Sequence, residues 1–595
     1  MIWTKDNFSS EHLKKSEQVT TKVYQKPPID SQTPRVAIIG GGPKGFYALK
    51  ALFQALKKQP LRSPLSIDWF NDDSSFACGK NFNTQQPDYL LINNCIGHID
   101  VWKDDYSTEK LNFCDWINHY RKGKKNALPT DFASRALVGH YLSHALLLLL
   151  KDMPDHLQLN FHIENVDRLY LDTQQQIYLG DKFKVAYKSV ILCTGNSYTS
   201  KLPKSIAQDI LKLGGVYIKH PYPIGNSLAL PKQADVAVLG LGLTGIDVVL
   251  GLTEGRGGKF SRKDGGQYIP ADKEVGTIYA WSRSNLPMLC RGAIYGDEPS
   301  KFTYLTEQRL ASLLAIKGTI KAKSQLLPLL SKEITFAYYS CKWRKKSFTK
   351  KEMEAQIAKL KKPFALSDLL APDKSTQFST CSTRQDFIIA YLTFTIKETK
   401  KGPLKSPYMA AASVWRDASL FFSSCYNFKG LTGNSQALFD QEWAGAFHRI
   451  SYGPPISTME KILILCKAGK LKFPFQQAPS LRIEKQKLLL EEGALKVSVS
   501  HLIDARIGKV NLTESLPATL LRAGIASPLV NDRYQVGCME IQPNGRLKST
   551  LDAPIYLYGT PTEGNTLDND TLAIDKYNYA AAWAADILEN HLQKK

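Results

Sequence analysis

Two apolar segments of the chain each run directly into a GxGxxG loop, and each loop opens a stretch with helical periodicity. The first segment is RVAIIGGGPKGFYALKAL at residues 35–52, and the second is VAVLGLGLTGIDVV at residues 236–249. A strand that enters a helix through such a loop presents free backbone N–H groups and the positive end of the helix dipole, which suit a phosphate. The chain is therefore predicted to contain two nucleotide-binding βαβ units, about 200 residues apart.

The first loop has its glycines where dinucleotide binding needs them. Gly40, Gly42 and Gly45 stand at the positions where the backbone turns tightly and approaches a pyrophosphate. A second apolar strand, LSIDWFN at residues 65–71, follows at the spacing of a Rossmann-like unit. This context predicts a nucleotide at the first loop, whereas a bare GxGxxG would also fit a tight strand–helix turn without a ligand.

The end of that second strand departs from the usual pattern. A carboxylate there normally binds the adenosine ribose, but the strand ends in Asn71, and Asp72 and Asp73 follow it. Either aspartate could shift into the ribose position, or the amide of Asn71 could make a weaker hydrogen bond to the ribose. The sequence leaves these options open.

Two later strands end in turns typical of proteins that bind FAD and a second dinucleotide. VILCTGN at residues 190–196 would return the chain from the FAD unit towards the second nucleotide unit. IYLYGTPTEGNTLDND at residues 555–570 would close over the ribityl chain and pyrophosphate of the flavin, because its glycines permit close backbone approach. The residues expected at the cofactor from these turns are Thr194, Gly195, Gly559 and Gly564.

The second loop suits a nicotinamide dinucleotide if FAD occupies the first, because a flavin needs a hydride donor with its own phosphate site. Its glycines are Gly240, Gly242 and Gly245. The next strand, TIYAWSR at residues 277–283, arrives later than usual and ends without an acidic residue. An acid there would bind a free ribose hydroxyl, whereas an arginine accommodates a 2′-phosphate. Ser282 and Arg283 therefore predict NADPH rather than NADH as the donor.

Composition excludes several classes of protein. A chain of 595 residues with 43% hydrophobic residues should fold into two or three domains with ample cores. Its longest aliphatic run, at residues 145–150, is far too short to span a membrane, and the N-terminus lacks the apolar core of a signal peptide. The ten cysteines are scattered without CxxC or zinc spacing, so neither a disulfide framework nor a metal site is expected. We therefore expect a soluble, cytoplasmic protein.

The net charge of +22 favours anionic partners, and much of it lies in residues 301–362. The simplest interpretation of this basic region is a solvated, lysine-rich surface. A nucleic-acid partner is not expected, because the sequence carries no helix-turn-helix, zinc-finger or RNA-recognition signature. The excess of basic over acidic residues instead fits a small anionic substrate.

The predicted fold is α/β, with two Rossmann-like dinucleotide-binding domains, the second inserted in the first, and a largely helical insertion. The second unit is placed within the first because flavin-type elements recur after it. The expected segments are a flexible N-terminal arm (1–34), the first part of an FAD-binding domain (35–200), an NAD(P)-binding domain (201–299), a mostly helical, basic, substrate-side insertion (300–480) and the second part of the FAD-binding domain (481–595).

Taken together, these motifs resemble a group of FAD- and NAD(P)-binding proteins that includes FAD-dependent urate hydroxylase and nitrosuccinate-forming aspartate N-oxygenases. Beyond the two glycine loops, the more specific segments are PDYLLINNCIGHIDVW (87–102) and FASRALVGHYL (132–142). The resemblance extends over about two thirds of the chain and is weakest across residues 300–400. The sequence departs from the group at Asn71 and in FACGKNF (76–82), where glycines are sparser. The resemblance implies an FAD-dependent oxidoreductase supplied by a nicotinamide cofactor, often a monooxygenase.

Mapped by position, the resemblance implies that Asn93 lies near the flavin, that Arg135 lies near the FAD phosphates, and that His220 is a linker histidine. Each residue also has a purely structural interpretation. Asn93 could cap a turn, Arg135 could form a structural salt bridge, and His220 could be a structural histidine. Arg449 could bind an anionic substrate or be a surface arginine, and Glu563 could be catalytic or simply belong to a turn. No acid–base pair can be assigned from the sequence, so the catalytic residues stay open.

These observations predict an FAD- and NADPH-dependent monooxygenase that acts on a small polar or anionic substrate with molecular oxygen, and N-oxygenation of an amino acid is favoured. A flavin dehydrogenase or reductase with an acceptor other than oxygen is the alternative from another enzyme class. A nucleotide-sensing protein that binds nucleic acid through its basic region is the alternative outside enzymology.

Overall fold

The protein is a mixed α/β structure with two parallel sheets and a helical region. The computed structural model describes residues 1–17, 33–61, 63–103, 105–196, 202–225, 228–261, 266–294, 302–344, 348–508, 510–574 and 576–591. In this part of the chain no helix is both long and apolar enough to cross a membrane.

The first sheet has five strands, all parallel. Their order is Ile555–Leu557, Ser189–Leu192, Arg35–Ile39, Leu65–Asn71 and Leu157–Ile163. The three central strands are almost entirely buried, as expected when helices cover both faces of a parallel sheet. The helices that pack into the same core are Pro43–Lys58, Arg135–Lys151 and Tyr579–Asp586.

The second sheet also has five parallel strands. Their order is Tyr217–Ile218, His501–Asp504, Val236–Leu239, Ile278–Trp281 and Leu471–Lys472. In both sheets the strand before the glycine loop lies in the centre, with the next strand of its βαβ unit on one side. The core of the second sheet includes residues of Leu243–Leu252, Arg384–Lys401 and Ile456–Lys467.

The predicted boundary at residue 481 needs correction. Residues 481–595 were expected to belong wholly to the first sheet's domain, but His501–Asp504 pairs in register with Val236–Leu239 of the second sheet. The hairpin strands before it share a small core with the second sheet as well. An apolar strand of four residues carries no local signal for which of two similar sheets it will join.

Helices dominate residues 302–467. In chain order they are Glu307–Leu314, Leu327–Lys342, Lys350–Ala358, Leu366–Leu370, Arg384–Lys401, Pro407–Asp417, Ser419–Tyr426, Gly433–Leu438, Ala444–Ser451 and Ile456–Lys467. Most of them pack around an aromatic core of their own. Their capping is local: Thr349 and Thr383, for example, each form a capping box with the acid three residues later.

The N-terminal residues are packed rather than loose, which corrects the prediction of a flexible arm for the described residues 1–17. Ile2–Trp3 pairs with Phe132–Ala133, and Ser10–Glu17 packs against Arg135–Lys151. Trp3 and Phe8 are buried in the core of the first sheet. The polar composition of this segment hides two aromatic anchors that meet their partners only in three dimensions. Residues 18–32 of the predicted arm lie outside the described residues.

Smaller elements complete the structure. The antiparallel strands are Leu169–Leu171, Ile177–Leu179 and Phe183–Tyr187; Lys259–Ser261 and Gln267–Ile269; Ser480–Glu484, Lys487–Glu492 and Leu495–Val499; and Pro528–Asn531 and Tyr534–Met539. The remaining α-helices are Phe113–Tyr120, Lys204–Lys212 and Ser515–Arg522. The pair of strands at 259–269 lies in the chain between the helix Leu243–Leu252 and the strand Ile278–Trp281.

Candidate functional site

A cavity of about 670 Å³ opens at the carboxyl ends of the first sheet's strands. Residues that follow all five strands line it: Gly40, Gly41, Gly42, Asn71, Asp72, Glu164, Asn165, Thr194, Gly195, Tyr558 and Thr560. This is the edge where parallel α/β sheets bind ligands, because the helices that follow the strands begin there. The volume is within the range of small-molecule and cofactor sites.

The backbone around the first loop requires glycine at two of its three motif positions. Gly40 has a φ of +116°, and a Cβ there would lie 2.2 Å from the carbonyl oxygen of Cys193. A Cβ at Gly45 would lie 2.1 Å from the carbonyl oxygen of Gly40, so the helix packs directly on the loop. At Gly42, in contrast, no described atom lies within 4 Å of the Cβ position, and this residue lines the cavity. The loop therefore offers a close backbone approach at the one position where a pyrophosphate needs it.

The helix that follows the loop adds positive charge. It begins at Pro43, with Gly42 as its N-cap, and Lys44 in its first turn lines the cavity. The ammonium of Lys44 lies 4.9 Å from the ring centre of Tyr558, which holds it at the mouth of the loop. Lys44 occupies a variable position of the glycine motif, so the motif does not predict a role for this residue.

The side chain of Asn71 fixes the first glycine loop through hydrogen bonds. Its Oδ1 accepts a hydrogen bond from the Gly41 N–H at 2.9 Å, and its Nδ2 donates to the Asp73 carboxylate at 2.8 Å. Asp73 also accepts a bond from the Ser75 N–H. Asp72, in contrast, lines the cavity with a partly exposed carboxylate that pairs with Lys80. Of the two aspartates that follow Asn71, Asp72 is the one that lines the cavity.

The second loop has the same geometry as the first. Gly240 has a φ of +119°, and a Cβ at Gly245 would lie 1.9 Å from the carbonyl oxygen of Gly240. At Gly242 no described atom lies within 4 Å of the Cβ position. The first residues of the helix that follows, Leu243 and Thr244, line the same cavity as the first loop. Both glycine-initiated helices therefore begin at one cavity.

A buried ion pair joins the two parts of the structure at this cavity. Arg135, at the start of Arg135–Lys151, pairs at 2.6 Å with Asp247 of the helix Leu243–Leu252. Tyr222 accepts a bond from Arg135 at 2.7 Å and donates one to Asp247. Burial alone would lower the pKa of Arg135, but Asp247 and Tyr222 raise it well above its ordinary value. The arginine expected near the FAD phosphates lines the cavity, and it also makes the structural ion pair of the alternative interpretation.

Elements outside the first sheet also line the cavity. Arg291 comes from the loop after the second sheet's strand Ile278–Trp281, and Arg416 comes from the last turn of Pro407–Asp417. Asn93 lines this cavity too and donates to the Tyr452 carbonyl oxygen at 3.2 Å. The sequence carried no motif for either arginine.

Arg449 lies outside the cavity lining, and neither sequence interpretation of it was right. It is only 6% exposed, so it is not a surface arginine. Its guanidinium donates to the hydroxyl of Tyr391 at 3.0 Å and to the carbonyl oxygen of Leu369 at 2.5 Å. These bonds connect the helix Ala444–Ser451 to the helices Arg384–Lys401 and Leu366–Leu370. Arg449 therefore has a structural role.

Other predicted residues also lie outside the cavity lining, namely Gly45, His220, Gly240, Gly242, Gly245, Ser282, Arg283, Gly559, Glu563 and Gly564. Gly559 and Gly564 have φ values of +75° and +96°, and a Cβ at Gly559 would lie 2.7 Å from Cγ of Lys44. Gly559 therefore leaves room for Lys44, while the neighbouring Tyr558 and Thr560 line the cavity.

Ser282 and Arg283 follow the second sheet's strand beside the second loop. The Gly240 N–H donates to the carbonyl oxygen of Trp281 at 2.8 Å, which places the loop and this strand end together. Arg283 is exposed and donates to the carbonyl oxygen of Gln441 at 2.9 Å. Ser282 accepts a bond from the Asn285 N–H.

The comparisons agree with the geometry of the first loop. Residues 37–197 match the family model for FAD-NAD(P)-binding domains. The nitrosuccinic acid synthase npaA of Aspergillus oryzae is 25% identical, over 89% of this chain and 88% of its own length. An L-aspartate N-monooxygenase (nitrosuccinate-forming) of Streptomyces davaonensis is 24% identical, over 82% of this chain and 84% of its own. The predicted resemblance, and FAD with a nicotinamide dinucleotide as cofactors, are thereby confirmed.

A solved structure, the reduced form of ornithine hydroxylase from Pseudomonas aeruginosa, aligns over 93% of this chain and 98% of its own length. The TM-score is 0.44 and the identity 11%, a likeness too weak to bear on function.

Replacing Asp247 by asparagine should lower the free energy of unfolding by about 3–5 kcal/mol, because it leaves the Arg135 charge buried without a counter-charge. Urea unfolding followed by tryptophan fluorescence measures this effect. Asp209→Asn removes an exposed aspartate of a surface pair and serves as the matched control. The double variant Arg135→Met with Asp247→Leu should lose less than Asp247→Asn alone. Equal stability of Asp247→Asn and Asp209→Asn would contradict the argument.

Proposed function

We propose that this chain, whose residues 37–197 form an FAD-NAD(P)-binding domain, is an NADPH-dependent monooxygenase that oxygenates the amino nitrogen of a small acidic amino acid. Aspartate is the first candidate, because it is the substrate named for the bacterial relative. The observation that carries the proposal is that Lys44 and Thr244, in the first turns of the two glycine-initiated helices, line one cavity. Hydride transfer between two dinucleotides requires such a shared space.

FAD is assigned to the first loop. Gly42 allows the pyrophosphate to approach the backbone, Lys44 supplies a cation, and the helix N-terminus supplies N–H groups. Asp72 would accept hydrogen bonds from the adenosine ribose, since it is the carboxylate that faces the cavity. Thr194 and Gly195 follow the neighbouring strand and would lie beside the phosphates.

NADPH is assigned to the second loop. The open Cβ position of Gly242 and the N-terminus of Leu243–Leu252 would receive its pyrophosphate. Arg283 would pair with the 2′-phosphate, with Ser282 as a second donor. Arg283 is exposed, and within the described residues its guanidinium donates to the backbone carbonyl of Gln441 and pairs with no carboxylate.

We infer that the two parallel sheets are separate dinucleotide-binding units, the second inserted in the first. In support of this, all five strands of the second sheet lie in the chain between Ser189–Leu192 and Ile555–Leu557 of the first. Each sheet also has its own core. The second unit would then run from about residue 201 to about residue 505 and would include the helical region.

The overall reaction consumes NADPH, a proton and oxygen, inserts one oxygen atom into the N–H of the substrate and releases NADP⁺ and water. Bound FAD supplies the chemistry that passes electrons from NADPH to oxygen. The protein's part is to hold the dinucleotides in one cavity, to orient the substrate nitrogen and to limit water. Arg135 and Asp247 keep the two halves of the cavity in contact while this happens.

L-Aspartate should increase the rate of NADPH oxidation by the purified, flavin-containing protein at least several-fold, with oxygen uptake and an N-oxygenated product. Parallel measurement of NADPH absorbance, dissolved oxygen and product mass tests this directly. L-Asparagine, which has the same size but lacks the second carboxylate, is the control substrate. NADPH oxidation with an artificial acceptor but without oxygen uptake would favour a reductase over a monooxygenase.

The two loops should respond differently to the same substitution. Gly42→Val should remove most of the bound flavin, because its side chain would fill the space left for the pyrophosphate while its φ of −76° needs no change. Gly242→Val, with a φ of −78°, should keep the flavin and raise the KM for NADPH. Flavin absorbance per protein and steady-state kinetics separate the two effects. Loss of flavin from Gly242→Val with retention in Gly42→Val would reverse the assignment.

NADPH should be preferred over NADH, and Arg283→Ala should reduce that preference roughly tenfold, as expected for one lost charge-assisted bond to a phosphate. The measured quantity is the ratio of kcat/KM for the two nucleotides. Arg522→Ala removes an exposed arginine far along the chain and is the matched control. A clear NADH preference that Arg283→Ala leaves unchanged would refute the assignment.

A further inference from the structure

We propose that the helical region carries a docking surface for the anionic headgroups of a lipid membrane. This surface, the basic face, consists of six exposed cations and the exposed apolar side chain of Leu404. The six cations are Lys332, Lys342, Arg344, Lys350, Lys351 and Lys361. The proposal does not rest on the proposed function, because none of the described residues between 302 and 362 lines the cavity.

The positive charge of the protein is concentrated in this part of the chain. Residues 301–362 hold 15 lysines and arginines but only 4 acids, an excess that is half of the net charge of +22. All of these lysines and arginines that the structure describes are exposed. A high density of one sign attracts anionic surfaces, with a range of about 8 Å at physiological ionic strength.

The acids of this stretch are engaged by neutral groups. Glu333 is buried, and its carboxylate accepts bonds from the backbone N–H groups of residues 303–305. Glu354 accepts a bond from the Tyr304 hydroxyl at 2.6 Å, and Glu352 caps the N-terminus of its own helix. These three carboxylates therefore do not neutralise the lysines around them.

The cations of the basic face are also unpaired. Among the described residues, none of the six has a carboxylate oxygen within 4 Å. Elsewhere exposed lysines do pair with acids, as Lys57 does with Asp152 at 3.3 Å and Lys400 does with Glu460 at 2.6 Å. The basic face therefore presents its charge to solvent, where an anionic surface can approach it.

The cations lie on segments that pack against one another. Lys332 and Lys350 belong to different helices, yet their ammonium groups lie 6.0 and 4.4 Å from the ring centre of Tyr304. The chain then returns to the first of these helices, where the ring of Phe364 stacks on Tyr338 at 4.1 Å. The lysines just before Phe364 are thereby brought beside the same helix.

Leu404 adds an apolar group to the basic face. Its carbonyl oxygen accepts bonds from Nη1 of Arg344 at 2.9 Å and from Sγ of Cys341 at 3.6 Å, which hold its backbone against the end of the helix Leu327–Lys342. Its side chain is 77% exposed, more than any other large hydrophobic side chain among the described residues. A leucine among cations suits a membrane surface, because the charges meet the headgroups while the leucine enters the acyl boundary.

The aromatic rings of this surface fit a nucleic acid less well. Proteins that bind single strands stack bases on open aromatic faces, whereas these rings already contact protein groups. Tyr304 has Lys350 over its ring and Phe336 edge-to-face at 5.9 Å, and Trp343 packs on Tyr339 at 4.6 Å. Of the 15 basic residues, 13 are lysines, which lack the forked donors with which arginine recognises phosphodiesters. These features favour a lipid surface.

Flotation of the flavin-containing protein with lipid vesicles tests the surface. Wild type should bind vesicles that contain about one third phosphatidylserine, and should bind pure phosphatidylcholine at least roughly tenfold more weakly. Binding should weaken as salt is added, because the charges are exposed and become screened. Failure of the folded protein to bind the anionic vesicles would overturn the proposal.

Neutralising three cations of the basic face should weaken this binding strongly. In the triple variant Lys332→Gln, Lys351→Gln, Lys361→Gln the partition coefficient should fall roughly 100-fold, about fivefold for each lysine. Flavin content and thermal midpoint should not change, because the three side chains are exposed. NADPH oxidation in the absence of vesicles should not change either, so vesicle binding and turnover can fail independently.

The matched control is the triple variant Lys122→Gln, Lys184→Gln, Lys487→Gln. It removes three exposed lysines from other parts of the chain and gives the same net charge. This variant should bind the anionic vesicles almost as well as wild type. An equal loss in both triple variants would show that only net charge acts, and would refute the basic face.

The apolar contribution distinguishes a membrane from a nucleic acid. Leu404→Gln should weaken binding to the anionic vesicles several-fold, whereas Leu211→Gln, which changes an exposed leucine of the helix Lys204–Lys212, should not. A labelled DNA duplex and a single-stranded RNA are the competing probes. Tight binding of either probe that is weakened by the lysine variant but not by Leu404→Gln, with weak vesicle binding, would assign the face to nucleic acid and overturn the proposal.

Discussion

The structure depends on a buried ion pair between its two sheets. Arg135 and Asp247 lie on helices that belong to different cores, and Tyr222 completes a closed set of hydrogen bonds between them. An arginine and an aspartate without each other would be costly in this position, so the contact specifies one relative arrangement of the two helices. That arrangement is what brings the first turns of both glycine-initiated helices to a single cavity.

The charged residues of this protein have different effects at the surface and inside the cavity. The net charge of +22 is mostly a property of the surface, where lysines are solvated and individually contribute little. Inside the cavity a few cations matter far more, because water is scarce there. Lys44 at the first loop, Arg135, Arg291 and Arg416 all line the cavity. Asp72 also lines it and would disfavour a further phosphate at the ribose.

The sequence predicted what is encoded locally. Gly40 and Gly45 are demanded by a positive φ or a close backbone contact, Gly42 leaves open space, and the strands that precede and follow them are continuous apolar runs. The second parallel sheet and the helical region followed from the same reasoning. Asn71 was singled out as one possible ribose ligand, but its bond to the Gly41 N–H depends on a three-dimensional contact that spacing does not reveal.

What the sequence could not reveal depends on contacts between distant segments. Trp3 and Phe8 looked like parts of a polar arm until the core that buries them was formed. Arg291 and Arg416 lie in unrelated elements and neither has a motif, yet both line the same cavity. The sequence offered Arg449 as a substrate-binding or a surface arginine, yet it is buried and bonded to Tyr391 and Leu369.

The two glycine loops have the same backbone geometry, so their difference must come from the strands beside them. At the first loop the neighbouring strand is followed by a carboxylate, Asp72, which on the proposed assignment would accept ribose hydroxyls and repel a 2′-phosphate. At the second, the neighbouring strand is followed by Arg283, which would attract a 2′-phosphate instead. On the proposed assignment the two sites therefore exclude each other's cofactor by charge. Such exclusion lets one chain use two nearly identical phosphate loops for two dinucleotides without competition between them.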